Sequence, residues 1–273
     1  MRRVLSTYLF VEQRLTTALL DRVAGSGIEE IELFCARQHL DYRNGSQLDE
    51  LRHWLADSPM RVASMHAPSF SDEIWGVSGP NAVLSITALE KAHRIRATDE
   101  LKRAIEVADA IPFRYLVMHV GDEEEEYEPA KIDAAFNALD ELRVFGSQLG
   151  VEILLENAPG DLSSAARLNT LLELTHLPLG YCFDVGHAQL GLGVESEFEK
   201  MNERIRSTHV HDNDGSEDAH LFPPAGEIDW ERTMPLLRSV GDDVPLLLEP
   251  RGDESIEDPL GEAQRSFDAL ENL

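Results

Sequence analysis

Six side chains pose the chemical question in this 273-residue chain: His66, His119, Glu156, Asp184, His211 and Glu249. Each closes a short apolar run suited to a buried strand, and a turn followed by a helical pattern comes after it. A hydrophobic strand has no structural use for a carboxylate or imidazole at its last position unless something polar waits there. These two groups also ligate divalent ions and move protons near neutral pH. Tyr181-Cys182-Phe183-Asp184-Val185-Gly186-His187 is the clearest case, with a carboxylate at the strand tip and an imidazole one turn beyond.

The elements that must carry these tips can be read in order. Strands are expected at Arg3–Phe10, Ile28–Phe34, Arg61–His66, Arg114–His119, Val151–Glu156, Leu179–Asp184, Ile205–His211 and Val244–Glu249. Helices are expected at Val11–Ala24, Leu48–Ala56, Val83–Ala110 (interrupted), Ala130–Leu149, Ser163–Thr175, Glu195–Asn202, Trp230–Ser239 and Ile256–Asn272. Eight alternations without a linker or a break in composition predict a parallel α/β protein, and at this length a single closed (β/α)8 barrel over residues 1–273. An open doubly wound sheet is the competing arrangement. It would want a glycine-rich phosphate loop after an early strand, whereas Gly25-Ser26-Gly27 precedes one.

Alternation along each strand sorts side chains by face. Ser64 with His66, Val117 with His119, Leu154 with Glu156, Cys182 with Asp184 and Leu247 with Glu249 each share a face. The chemistry-bearing residue is then the last inward side chain at the C-terminal rim, where barrel enzymes build their sites. Glu32 on strand two is either a polar residue of that rim or a solvated edge. His209, two residues below His211, is either support for a ligand or a buried, hydrogen-bonded imidazole. Carboxylates gathered in a dry cavity repel unless a cation neutralises them. Mixed imidazole and carboxylate donors suit Mn, Zn, Co or Fe better than calcium, with Mg also open.

Composition narrows the partners. With 51 acidic against 24 basic residues the net charge is -27, which opposes a nucleic-acid backbone or an anionic membrane. No apolar run has the length of a membrane span and no signal pattern opens the chain. Cys35 and Cys182 read as buried thiols of a reducing compartment, so a cytoplasmic location is expected. The loop Ser69–Pro80, with Phe70 and Trp75, is long enough to be a functional lid. The acidic run Asp122–Glu126 reads as a solvated loop.

Gly27-Ile28-Glu29-Glu30-Ile31-Glu32-Leu33, Met65-His66-Ala67-Pro68, Met118-His119-Val120-Gly121 and Leu155-Glu156-Asn157 together resemble the xylose isomerase-like barrel superfamily. Phe183-Asp184-Val185-Gly186-His187, His209-Val210-His211-Asp212-Asn213 and Leu248-Glu249-Pro250 continue the likeness over nearly the whole chain. The grouping holds sugar phosphate isomerases and epimerases, ketose 3-epimerases, inosose dehydratases and endonuclease IV-type enzymes.

The resemblance implies a metal-dependent isomerase or epimerase that moves a proton on a sugar or polyol through an enediolate. Glu156, Asp184, His211 and Glu249 would hold a divalent ion (Mn, Zn, Co or Mg), and Glu156 and Glu249 would exchange the proton. His187 would contact the substrate, joined by His66, His119 and Glu32, with Arg251 available to a phosphate. The endonuclease IV branch implies instead a multi-zinc phosphodiesterase on abasic DNA, with His66, His119, His187, Asp218 and His220 as additional ligands. A barrel that binds a sugar or a metal without catalysis is the third class. The partner expected is a carbohydrate, with homo-oligomers compatible. Where relatives carry Pro-Gly-x-Gly-x-Ile-Asp, this chain reads Pro223-Pro224-Ala225-Gly226-Glu227-Ile228-Asp229, and a stiffer loop is expected.

Overall fold

β-branched and aliphatic residues on alternate positions, punctuated by glycine and proline, produce eight short strands. They are β1 (Arg3–Ser6), β2 (Glu30–Phe34), β3 (Arg61–His66), β4 (Tyr115–Met118), β5 (Glu152–Glu156), β6 (Gly180–Asp184), β7 (Ile205–His209) and β8 (Leu246–Leu248). The computed structural model describes residues 1–122, 125–252 and 255–273. All ladders are parallel, and the strand order is β7-β6-β5-β4-β3-β2-β1-β8. The sheet closes just past β7, where Val210 bridges Leu248 and exchanges backbone bonds with Leu247 (2.9 Å) and Glu249 (3.0 Å). This sequential, closed order is that of a (β/α)8 barrel and excludes the open doubly wound sheet.

Between the strands run α1 (Thr17–Gly25), α2 (Gly45–Ala56), α3 (Lys91–Glu106), α4 (Pro129–Gln148) and α5 (Ala165–Thr175). They are followed by α6 (Val185–Leu190), α7 (Val194–Met201), α8 (Trp230–Ser239) and α9 (Pro259–Glu271). The large core lies between sheet and helices, where Leu33, Met65, Leu116, Leu155, Tyr181 and Phe183 are fully buried. A separate small cluster of Val117, Leu154 and Cys182, packed on by Tyr115, fills the barrel interior. These are the partners expected to share a face with His119, Glu156 and Asp184, so the alternation places those three side chains one layer higher at the rim. No helix of the described residues is long and apolar enough to cross a membrane.

Several boundaries differ from the sequence expectation. β1 stops at Ser6, whose side chain accepts from Tyr8 N, and Thr7–Phe10 turns as a 3-10 helix. α1 begins at Thr17 because Thr16 is its cap, its hydroxyl accepting from Leu19 N at 3.3 Å. Val83 is not helical: it bridges Phe70 within the β3–α3 loop, and α3 starts only at Lys91. α6 was not anticipated, since Asp184 ends a strand and caps a helix at once, accepting from His187 N at 2.7 Å. The acidic run is not simply solvated. Glu125 accepts from Ser85 (2.8 Å) and Thr87 (2.7 Å), tying the β4–α4 loop to the β3–α3 loop, while Glu123 and Glu124 lie outside the described residues.

Candidate metal centre at the barrel mouth

Convergence at the mouth begins with the ends of β5 and β6. The Asn157 side chain donates to Asp184 O and accepts from Asp184 N, both at 2.8 Å, which locks the two strand tips together. Its carbonyl lies 2.9 Å from His187 Nδ1. A carbonyl can only accept, so Nδ1 carries a proton and Nε2 is turned to Asp218 at 3.1 Å. His66 (Nδ1 to Ala67 O, 2.8 Å) and His220 (Nδ1 to Glu249 O, 2.7 Å) are held in the same way. Backbone carbonyls thus fix three imidazoles with Nε2 turned to a carboxylate, His66 to Glu156 and both His187 and His220 to Asp218. His220 also takes a left-handed backbone (φ 45), a conformation uncommon outside glycine.

Four overlapping sets of ligand atoms result among the described residues, one of them His66, His209 and Glu249. Around Glu156 Oε2 lie His66 Nε2 and His119 Nε2, each at 3.2 Å. Glu156 Oε2 and His119 Nε2 are both buried without a well-aligned hydrogen bond, as expected of atoms awaiting a cation. Glu156, Asp184, His209 and Glu249 bring ligand atoms within 4.8 Å of one another, and so do His187, His211, Asp218 and His220. The sets are contiguous, because His211 Nε2 is 3.1 Å from Asp184 Oδ1 and 3.8 Å from Asp218 Oδ1. Asp218 Oδ2 touches His187 Nε2 (3.1 Å) and His220 Nε2 (3.2 Å).

His209 stands against Glu156 and Glu249, which the sequence did not foretell, while Asp184 is nearer to His211 (3.1 Å) than to His209 (3.9 Å). Its Nδ1 is hydrogen-bonded to Glu156 Oε1 at 2.8 Å and lies 3.4 Å from Glu249 Oε2. Its Nε2 lies 3.0 Å from Glu32 Oε1, off the line of a hydrogen bond. Both nitrogens of His209 therefore face carboxylates, whereas His211 Nδ1 has no hydrogen-bond partner and its Nε2 faces Asp184. The His211 ring lies against Gly186, where any Cβ would overlap it. That explains the glycine between Asp184 and His187.

Electrostatics follow this crowding. Burial favours the neutral form of Glu156, but His209 and His119 outweigh it and hold the carboxyl well below its usual range. Asp184 is likewise held low, against burial, by His187 and His211. Burial opposes a charge on His187, yet Asp184 and Asp218 hold its pKa well up. Glu249 behaves differently: burial, with Glu32 and Glu156 adding repulsion, pushes it up to about 7.

Glu32 is not a rim residue. It is fully buried one layer down, opposite Ser6 and Ser64, and accepts from Ser64 Oγ at 2.7 Å. Arg251 is not brought into the cluster; it is exposed and paired with Glu12 at 2.9 Å. The altered loop still delivers its two candidates, since Asp218 and His220 both reach the His187–His211 set. Asp212 pins that loop, accepting from Trp230 Nε1 at 2.7 Å and Asn213 N at 2.9 Å.

A cavity of about 190 Å³ opens beside His119, His187 and Asp218, walled by Pro68, Phe70 and Trp75 of the β3–α3 loop. Among the described residues, no lysine or arginine lines it. Tyr8 was missed by sequence reasoning. Its ring lies 4.7 Å from that of His220 and 4.5 Å from that of Phe34, but in the sequence it is one more apolar residue of a strand-like run.

Comparison with known proteins places this geometry. The uncharacterized protein MJ1311 of Methanocaldococcus jannaschii is 27% identical over 257 residues, 89% of this chain and 82% of its own. The crystal structure of a D-tagatose 3-epimerase-like protein superposes with a TM-score of 0.77 at 23% identity, covering 100% of this chain and 99% of that one. IolI protein with a bound zinc atom gives 0.80 at 16% identity, covering 99% and 98%. The family model for the xylose isomerase-like TIM barrel matches residues 20–273. The chain belongs to the xylose isomerase-like TIM barrel family.

Proposed function

We propose that this protein is a metal-dependent isomerase or epimerase of an unphosphorylated sugar or polyol. The reading is carried by Glu156 and Glu249, two buried carboxylates that converge with Asp184 and a histidine on one pocket at the barrel mouth. Two carboxylates fixed at one pocket can act as a pair, Glu156 and Glu249 removing and returning a carbon-bound proton. Similarity to a D-tagatose 3-epimerase-like protein and to zinc-bearing IolI supports it.

Glu156, Asp184, His211 and Glu249 would hold the ion (Mn, Zn, Co or Mg), since His209 is already committed to Glu156 and Glu32. When bound, a divalent ion polarises adjacent carbonyl and hydroxyl oxygens. The side chains do the rest. His187 and His119 border the cavity and orient hydroxyls, while Trp75 and Phe70 offer ring faces to the C–H side of a sugar and exclude water. A lining without lysine or arginine favours an uncharged substrate, and Arg251 is turned elsewhere.

A second reading, an endonuclease IV-like multi-zinc phosphodiesterase on abasic DNA, draws on the two further ligand sets, His66–His119–Glu156 and His187–His211–Asp218–His220. The -27 charge and the uncationic mouth disfavour a phosphodiester. One experiment separates them. Protein loaded with Mn(II) or Zn(II) is incubated with free ketoses in deuterated water and, separately, with abasic duplex. Carbon-bound deuterium incorporation is expected, falling ~10²–10⁴-fold in Glu249→Gln with the fold retained. Strand cleavage without exchange would reverse the ranking.

A further inference from the structure

Beneath the rim, the inward positions of β4, β5 and β6 are apolar, yet β2 puts a carboxylate at the same depth. Val117, Leu154 and Cys182 fill the interior, and Glu32 sits beside them with no exposure to solvent. A buried carboxylate without compensation is costly, and an apolar side chain would serve packing better. What compensates Glu32 is specific. Ser64 Oγ donates to Oε2 at 2.7 Å, and His209 Nε2 stands 3.0 Å from Oε1. The same imidazole reaches upward through Nδ1 to Glu156 Oε1 (2.8 Å) and lies 3.4 Å from Glu249 Oε2. Ser6, in register with Glu32, donates to the other Glu249 oxygen at 3.3 Å.

We propose that Glu32 is a positioning residue that, through His209, fixes the Glu156 and Glu249 carboxylates in their ligand and proton-transfer orientation. It rests on the metal-dependent reading of the mouth. His209 is the connecting piece: with Glu32 below, its ring plane and height are set, and Glu156 Oε1 is held back. Oε2 is thereby left to face His66 and His119. Without Glu32 the imidazole loses the charge that faces its Nε2 and is free to tilt, and both carboxylates lose a fixed partner. The substrate cavity does not include Glu32, so its influence on chemistry runs through another residue.

The test measures Mn(II) affinity by competition with a chromophoric chelator, beside the melting temperature of the metal-free protein. Glu32→Leu is expected to weaken Mn(II) binding ~10–100-fold, the usual effect of losing an outer partner of a metal ligand. Glu32→Gln, which keeps an oxygen toward His209 and an acceptor for Ser64, should restore affinity close to wild type. If Glu32→Leu does not fold, Glu32→Asp replaces it: the shorter side chain withdraws from His209 and the same loss is expected. A variant that melts lower yet binds Mn(II) as tightly as wild type reduces Glu32 to packing and overturns the inference alone. Wild-type protein that takes up no divalent ion overturns the metal reading and this inference with it.

Discussion

Glu100 and Glu156 are both buried carboxylates surrounded by cationic side chains, and the two shells differ in kind. Glu100, on α3, accepts from Tyr42 O–H (2.7 Å) and Arg43 Nε (2.9 Å) and is paired with Arg103. Glu156 accepts from His209 at 2.8 Å and faces His66 and His119 at 3.2 Å. Arginine keeps its proton and offers no lone pair, so the Glu100 shell is a permanent strut between α3 and the β2–α2 loop. Imidazole can release its proton and turn a lone pair to a metal, so the Glu156 shell can be replaced by an ion. A carboxylate is held low in either place, against burial in both. What marks a site is that its neutralising groups are exchangeable.

The comparison breaks most sharply if the exchangeable shell is made permanent. His119→Arg places a fixed cation beside Glu156 from a position whose side chain is 30% exposed, which leaves room for the longer group. The fold should persist, because Glu156 remains neutralised, while divalent binding should be abolished. Chelator competition and a melting curve check both halves. Binding at wild-type strength would remove Glu156 from the ligand set.

A third imidazole isolates what burial does alone. His39 is fully buried, its Nδ1 hydrogen donated to Gln13 O, with no carboxylate beside it and Nε2 unpaired. Burial lowers its pKa from 6.5 to about 4, whereas carboxylates raise His187 and His211 in spite of equal burial. The folded state therefore binds this proton less readily than the unfolded chain. The stability contributed by neutral His39 is complete above pH 6.5 and is lost as pH falls through 6.5 toward 4, by about 3 kcal/mol. Urea unfolding at pH 7 and pH 4 should show His39→Gln losing less stability on acidification than wild type by that amount. Equal losses would mean that burial alone does not depress this imidazole.

Much of this was readable from residue order, because alternation is a local property. Ser64 with His66 and Leu154 with Glu156 needed only the period of two to be assigned to the barrel interior and its rim. Contacts across the barrel were not readable. Glu32 is the instructive case: its face was legible but not its depth, which depends on the cross-strand register that sets it opposite Ser6 and Ser64. His209 was similarly half-read, since its burial follows from the strand, while its bond to Glu156 joins residues 53 positions apart. Arg251 failed for the opposite reason. A charged residue just past a strand tip looks like a rim residue, yet its side chain takes the nearer acid, Glu12. α6 escaped because Asp184 performs two local roles and only one was weighed.

The smallest expected effect tests whether the two shells are independent. Glu100→Gln keeps an oxygen for Tyr42 and gives up only the attraction of Arg43 and Arg103, whose side chains are 36% and 50% exposed and can turn to water. Solvent screening at that exposure limits the loss to about 1 kcal/mol. It should appear in urea unfolding with Mn(II) affinity unchanged, because α3 touches the mouth only through the cavity wall near Leu101. If affinity fell as well, the strut would be transmitting strain through the β3–α3 loop, whose Val83 and Leu84 border both the arginine-lined hollow and the mouth cavity. A permanent ion pair would then help to set the shape of the exchangeable one, and the two kinds of shell would be one device rather than two.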